Sequence, residues 1–109
     1  MDVLTYIVDI DGTICSDTMG DYSKCKPKKN RILEINNLYE KGHTIIYFTA
    51  RGMGSTNNNQ SKASEKYYEF TKKQLIGWGC KFTELYLGKP KGDLYIDDKA
   101  IRDNDFFKQ

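Results

Sequence analysis

Two aspartates, Asp9 and Asp11, stand two residues apart at the end of the apolar run in "YIVDIDGTICSD" (6–17). A carboxylate is costly to bury among β-branched and aromatic residues, so its presence there calls for a partner or a use. Similar groups recur later: Thr49, Ala50 and Arg51 in "TIIYFTARG", Lys89 in "GKP", Asp97 and Asp98 in "YIDDKAI". Gathered carboxylates repel and raise one another's pKa unless a positive charge sits among them. A hard divalent cation on oxygen ligands resolves that conflict, and Mg²⁺ is the usual ion where a phosphate is also bound. Hydroxyl, lysine and metal together supply what a transferring phosphoryl group needs. One carboxylate can then attack phosphorus while a second, two residues on, protonates the leaving oxygen.

The elements that must position these residues alternate between strand and helix. "VLTYIVDI" (3–10) and "TIIYFTA" (44–50) read as buried strands, "KFTELYLG" (81–88) as a third and "DLYIDD" (93–98) as a fourth. From Arg31, apolar Ile32, Ile35, Leu38 and Tyr39 recur at helical spacing up to Gly42, with Pro27 at the expected first turn. A second helix is predicted from about Ser64 to Trp78, burying Tyr67, Tyr68, Phe70, Leu75 and Trp78. Residues 12–26 and 51–64 read as loops. Strands joined through helices run parallel, and ligands of such open sheets sit beyond the carboxyl ends of the strands. Every residue singled out above falls at such an end, and that convergence is the strongest signal in the sequence.

The whole chain narrows the reading further. Its 109 residues make one domain (1–109), with 39% hydrophobic and 29% charged residues, as suits a globular protein. Seventeen basic residues against fifteen acidic ones leave a net charge of +2, which argues against nucleic acid or an anionic membrane as partner. No apolar run approaches the ~20 residues of a membrane span, and no signal-peptide layout opens the chain. Cys15, Cys25 and Cys80 form no metal or disulfide pattern, so a reduced, cytoplasmic compartment is expected.

"DIDGT" with later "FTAR", "GKP" and "YIDD", in that order, resembles the haloacid dehalogenase superfamily of aspartate-nucleophile phosphatases, over residues 6–103. The resemblance implies a minimal Rossmann-like α/β core with a mainly parallel sheet of about four strands in order 3-2-1-4. It implies Asp9 as nucleophile and Asp11 as general acid/base, with Thr49, Ala50, Arg51 and Lys89 around the phosphoryl group. Asp9, the Asp11 backbone carbonyl and Asp98 would bind Mg²⁺, with Asp97 a ligand through water or an orienting group, and Asp103 a further carboxylate behind them. Gaps at 12–30 and 52–63 are too short for a separate cap domain, so a capless form is expected. "DIDGTI", "HTIIYFTARG" and "YIDDKAI" are similar to phosphatases associated with capsule and surface-polysaccharide genes. A small phosphorylated sugar or polyol is the expected substrate, and exposed sheet edges lead us to expect a homo-oligomer.

Rival readings are a polynucleotide-end phosphatase, since a capless site is open to polymers, and a non-catalytic module that keeps the fold. A response-regulator receiver domain uses similar groups but has its acidic pair on the first strand, its phosphorylated aspartate on the third and its threonine and lysine later, whereas here the Asp97–Asp98 doublet comes last, after Lys89. More ordinary roles stand beside the chemical ones: Arg51 as a structural ion pair, His43 as a structural histidine, the cysteines as thiols without a role, and "KCKPKKNR" (24–31) as a solvated face or a substrate-attracting one.

Overall fold

The computed structural model describes residues 2–108. Three strands, β1 (Thr5–Val8), β2 (Thr44–Thr49) and β3 (Glu84–Leu87), form a parallel sheet in the order β1-β2-β3. Helix α1 (Lys29–Glu40) joins β1 to β2, and α2 (Gln60–Gly77) joins β2 to β3. A short helix α3 (Asp103–Phe107) follows near the end. The result is a small α/β domain. Its sheet has three strands where four were expected.

The missing strand is 93–98. Its apolar side chains are in solvent, with Leu94 81% and Ile96 96% exposed. Local bonds satisfy this stretch instead: the Tyr95 hydroxyl donates to the Pro90 carbonyl, and Asp97 Oδ1 accepts from the Lys99 amide. Such side-chain-to-backbone bonds compete with a strand ladder, and Pro90, Gly92 and the Asp97–Asp98 pair surround only three apolar residues.

Strand register explains where the core lies. Tyr6 is opposite Ile45, Val8 opposite Tyr47, Tyr47 opposite Leu85 and Thr49 opposite Leu87. Side chains of paired residues share a face, and this face is buried, joined by Ile32 and Ile35 of α1 and Leu75 of α2 in one cluster. The opposite face carries Ile7, Ile46, Phe48 and Tyr86, of which Ile7 is 65% and Tyr86 51% exposed. Helices thus cover one side of the sheet. A parallel sheet normally has both faces covered, so the second face is unusually open.

The helix boundaries differ from the sequence expectation for local reasons. Helix α1 starts at Lys29, while Pro27 instead forms an antiparallel bridge with Cys15. Helix α2 starts at Gln60, four residues early, because Asn59 caps it: its Oδ1 accepts from the Lys62 amide at 3.0 Å. Inside α2, Ala63, Thr71 and Leu75 are buried, Tyr67, Tyr68 and Trp78 pack at the margin, and Phe70 is exposed. Both long helices end with the paired carbonyl bonds of a Schellman turn, at Gly42 and Gly79. Among the described residues no helix is long and apolar enough to cross a membrane.

Candidate active site

The carboxyl ends of the three strands lie side by side, and the backbone fixes their relation. The Lys89 amide donates to the Thr49 carbonyl at 3.2 Å, tying the segment after β3 to the end of β2. Asp9 directly follows β1. Next comes a tight turn in which the Thr13 and Ile14 amides both donate to the Ile10 carbonyl, and the Gly12 amide donates to that of Cys15. Gly12 has φ +85°, a conformation that side chains disfavour, which accounts for the glycine after the second aspartate.

Asp9 is half-buried. Thr13 Oγ1 donates to its Oδ2 at 3.0 Å, and Lys89 Nζ donates to Oδ1 at 3.4 Å. Burial raises its pKa above the usual carboxylate value, although the Lys89 charge and the Thr13 hydroxyl pull the other way. Lys89 also lies over the Tyr95 ring at 4.3 Å, so the exposed 93–98 segment closes one side of this lysine. Thr49 is buried, and its Oγ1 accepts from the Arg51 amide at 3.2 Å. Ala50 lies between them, half-buried.

Arg51 has a different environment from a substrate-facing arginine. It is only 1% exposed. Its Nε and Nη2 donate to the two Asp11 oxygens, each at 2.9 Å. Its Nη1 donates to Thr71 Oγ1 and to Gln74 Oε1, and Nη2 also reaches Cys25 Sγ at 3.7 Å. All five N–H groups of the guanidinium therefore have protein acceptors. Burial disfavours its charge, but the Asp11 carboxylate outweighs that and holds its pKa above the ordinary value. Expected as a substrate contact, Arg51 in this structure clamps Asp11.

The clamp turns the Asp11 side chain toward α2 and the segment 12–28. Cys25 and Cys15 donate to the same Oδ1, at 3.3 and 3.6 Å. Burial, chiefly, pushes both thiols up in pKa. Tyr22 pins the 12–28 segment in place. Its ring lies under the Arg51 guanidinium at 4.7 Å, its hydroxyl accepts from the Gly52 amide, and its carbonyl accepts from Gln74 Nε2. Gly52 is needed at that point, because a Cβ there would sit 2.6 Å from the Tyr67 ring.

Asp97 and Asp98 are exposed. Among the described residues, no set of three metal-capable donors within 4.8 Å of one another includes Asp9, Asp97 or Asp98. Asp103, expected behind the metal ligands, instead pairs with Arg31 at 2.7 Å, which holds its carboxyl below the usual range. That bond, with the Asn104 side chain and the Phe107 ring, docks α3 on α1 and accounts for the burial of one arginine in the basic run. Its lysines remain exposed. His43 is structural: its Nδ1 accepts from the Leu4 amide and its ring meets Tyr6 edge-on.

Thr13 closes the "DIDGT" motif but was given no role there, and sequence reasoning did not single out Tyr22, Thr71 or Gln74. Of the latter, only Thr71 and Gln74 left a trace, as polar residues on the helix face that also carries Leu75.

No family model matches the chain, and no curated protein does. Among solved structures, a structural-genomics target from Vibrio cholerae, determined by crystallography, superposes with a TM-score of 0.88 at 27% identity. The match covers 98% of this chain and 89% of that one. The likeness therefore extends over the whole domain.

Two outcomes follow from these electrostatics. Because the folded state raises the Asp9 pKa, its ionisation costs stability at all pH values above that raised pKa, and the cost disappears below the ordinary carboxylate range. Asp9→Asn should therefore melt at a higher temperature than wild type at neutral pH, the two curves converging in acid. Calorimetry across pH checks this. Arg51→Met, which leaves Asp11 unpaired, should cost about 3–5 kcal/mol in a denaturant titration, and adding Asp11→Leu should recover part of the loss.

Proposed function

We propose that the chain is a capless phosphatase of the haloacid dehalogenase type, hydrolysing a phosphomonoester through an aspartyl-phosphate on Asp9. The observation that carries the reading is a half-buried carboxylate at the end of β1 with the Lys89 ammonium 3.4 Å away and the buried Thr49 at the end of the adjacent strand. Such a carboxylate is poorly compensated by one lysine at that distance. Its oxygens suit a hard cation, and Mg²⁺ would be held by Asp9, the Asp11 carbonyl and Asp98, with Asp97 assisting. Asp98 would come from residues 90–102, every one of which is exposed. When bound, the ion neutralises the phosphoryl oxygens.

The chain's own groups then divide the work. An Asp9 oxygen forms a bond to phosphorus as the bond from phosphorus to the leaving oxygen breaks. Lys89 exchanges Asp9 for a phosphoryl oxygen, and the Thr49 hydroxyl and Ala50 backbone bind others. Asp11 supplies the proton to the leaving group, for which it must leave the Arg51 fork. Water, giving a proton to Asp11, then forms a bond to phosphorus as the bond from phosphorus to the Asp9 oxygen breaks, which releases phosphate and restores both aspartates. Arg51 positions Asp11 between turnovers. We place the protein in the cytoplasm, acting on a small phosphorylated sugar or polyol of surface-polysaccharide synthesis. The near-neutral charge supports a small substrate over a polymer. The 51–59 loop offers fewer free groups than its composition suggests: Ser55 and Thr56 donate to the Gly52 carbonyl, Asn58 accepts from the Lys91 amide, and Asn59 caps α2.

With Mg²⁺, the protein should hydrolyse an aryl phosphate, and Asp9→Asn should abolish the activity. Asp11→Asn should slow alkyl phosphates about 10²–10⁴-fold but aryl phosphates much less, since an aryl oxide departs with little help. Undiminished turnover by Asp9→Asn, or equal Asp11→Asn defects on both substrates, would refute the assignment.

We further propose that a second copy covers the open sheet face. Light scattering should give a dimer or larger, and Ile7→Glu should return it to the monomer. A monomeric wild type at working concentration would remove this proposal.

A further inference from the structure

The segment between β1 and α1 contains a second group of donors, distinct in chemistry from the oxygen set around Asp9. The sulfurs of Cys15 and Cys25 and an Asp11 oxygen all lie within 4.8 Å of one another, and they are the one such group of three among the described residues. Both cysteines are free and buried. The two sulfurs sit 3.6 and 3.3 Å from Asp11 Oδ1. A tetrahedral zinc site with ordinary bond lengths spaces sulfur and oxygen donors roughly 3.6 Å apart. The two sulfur–oxygen separations are already close to those of such a site.

Hydrogen bonding alone serves these groups poorly. Oδ1 faces three donors: Arg51 Nη2 at 2.9 Å, Cys15 and Cys25. A carboxylate oxygen offers about two lone pairs, so with the guanidinium in place the two thiols compete for one position. Cys15 has a second acceptor in the Ile10 carbonyl, at 3.6 Å, and Cys25 is 3.4 Å from Thr18 Oγ1. One cation bound to Oδ1 and both sulfurs would replace the two competing S–H bonds. The charges also close. Two thiolates, one carboxylate and the Arg51 guanidinium sum to –2, and a divalent ion brings the buried group to neutrality.

We propose that Asp11, Cys15 and Cys25 form a binding site for a thiophilic divalent cation of the zinc class, with water or the Thr18 hydroxyl in the fourth position. Binding forms two metal–sulfur bonds and one metal–oxygen bond and releases the two thiol protons to solvent. No electron is transferred. Soft sulfur ligands select against Mg²⁺, so this site and the one proposed at Asp9 take different ions. On the phosphatase reading, an ion here would also hold Asp11 away from the leaving group. That consequence rests on the reading, whereas the binding does not.

The test uses the full chain, fully reduced, freed of metal and kept without oxygen. Cd²⁺ titration should produce thiolate-to-metal charge-transfer absorption saturating at one ion per chain, and Zn²⁺ should displace it. Zn²⁺ should also raise the melting temperature. Both effects should be lost in Cys15→Ser and Cys25→Ser and kept in Cys80→Ser, with circular dichroism confirming that each variant folds. If Cys15→Ser does not fold, Cys25→Ser carries the test, and Zn²⁺ protection of two of the three wild-type thiols from a thiol reagent gives a second readout. Absence of saturable absorption in the wild type, or its survival in folded Cys25→Ser, would overturn the site. Loss of aryl phosphatase activity leaves every one of these readouts intact, so failure of the two proposals can be told apart.

Discussion

A guanidinium with no solvent contact ties together four parts of this domain at one point. Arg51 follows β2, and its five N–H groups reach Asp11 after β1, Cys25 in the segment before α1, and Thr71 and Gln74 on α2. Taking a guanidinium and a carboxylate out of water is expensive, and their attraction repays it only where geometry is good and the remaining donors are satisfied. Here the bidentate fork and three further acceptors meet that condition. The pair therefore specifies one arrangement of β1, β2 and α2, since any shift among them strands a buried charge.

The same constraint gives the two aspartates separate environments. Asp9 faces Lys89 and Thr13, is disfavoured as a carboxylate by burial, and is the group that a cation would most relieve. Asp11, two residues on, is turned across the Gly12 turn into the Arg51 fork. One carboxylate is short of positive charge and the other is fully supplied. A nucleophile must be ionised and a proton donor protonated, so the proposed division of roles needs a cation beside Asp9 and release of Asp11 from the fork.

Much of the fold was legible because parallel strands and amphipathic helices announce themselves by burial pattern. The runs around Ile7, Ile46 and Leu85 became strands, and the periodic residues Ile32, Ile35 and Leu75 became helical core. The placement of Asp9, Thr49 and Lys89 at strand ends followed from the same logic. The strand expected at 93–98 did not form, because an apolar run specifies a strand only when a neighbour offers a ladder, and local bonds to Pro90 and Lys99 took its polar groups. The start of α2 was missed because an asparagine cap resembles any polar loop residue until the helix is seen. Arg51 could not be assigned from sequence, since its acceptors lie as far away as Asp11 and Gln74. The pairing of Cys15 with Cys25 across a ten-residue loop was hidden for the same reason: the spacing matches no metal motif, and only the turn at Gly12 and the Cys15–Pro27 bridge bring the thiols together.

The central claim is that Asp9 becomes covalently phosphorylated. Quenching the protein in acid during turnover of an aryl phosphate with Mg²⁺, then mapping the modified peptide by mass spectrometry, tests it directly. The account predicts a hydroxylamine-sensitive acyl phosphate on Asp9. A phosphate on any other residue, or active enzyme that accumulates no acyl phosphate even when water attack is slowed by Asp11→Asn, would contradict it.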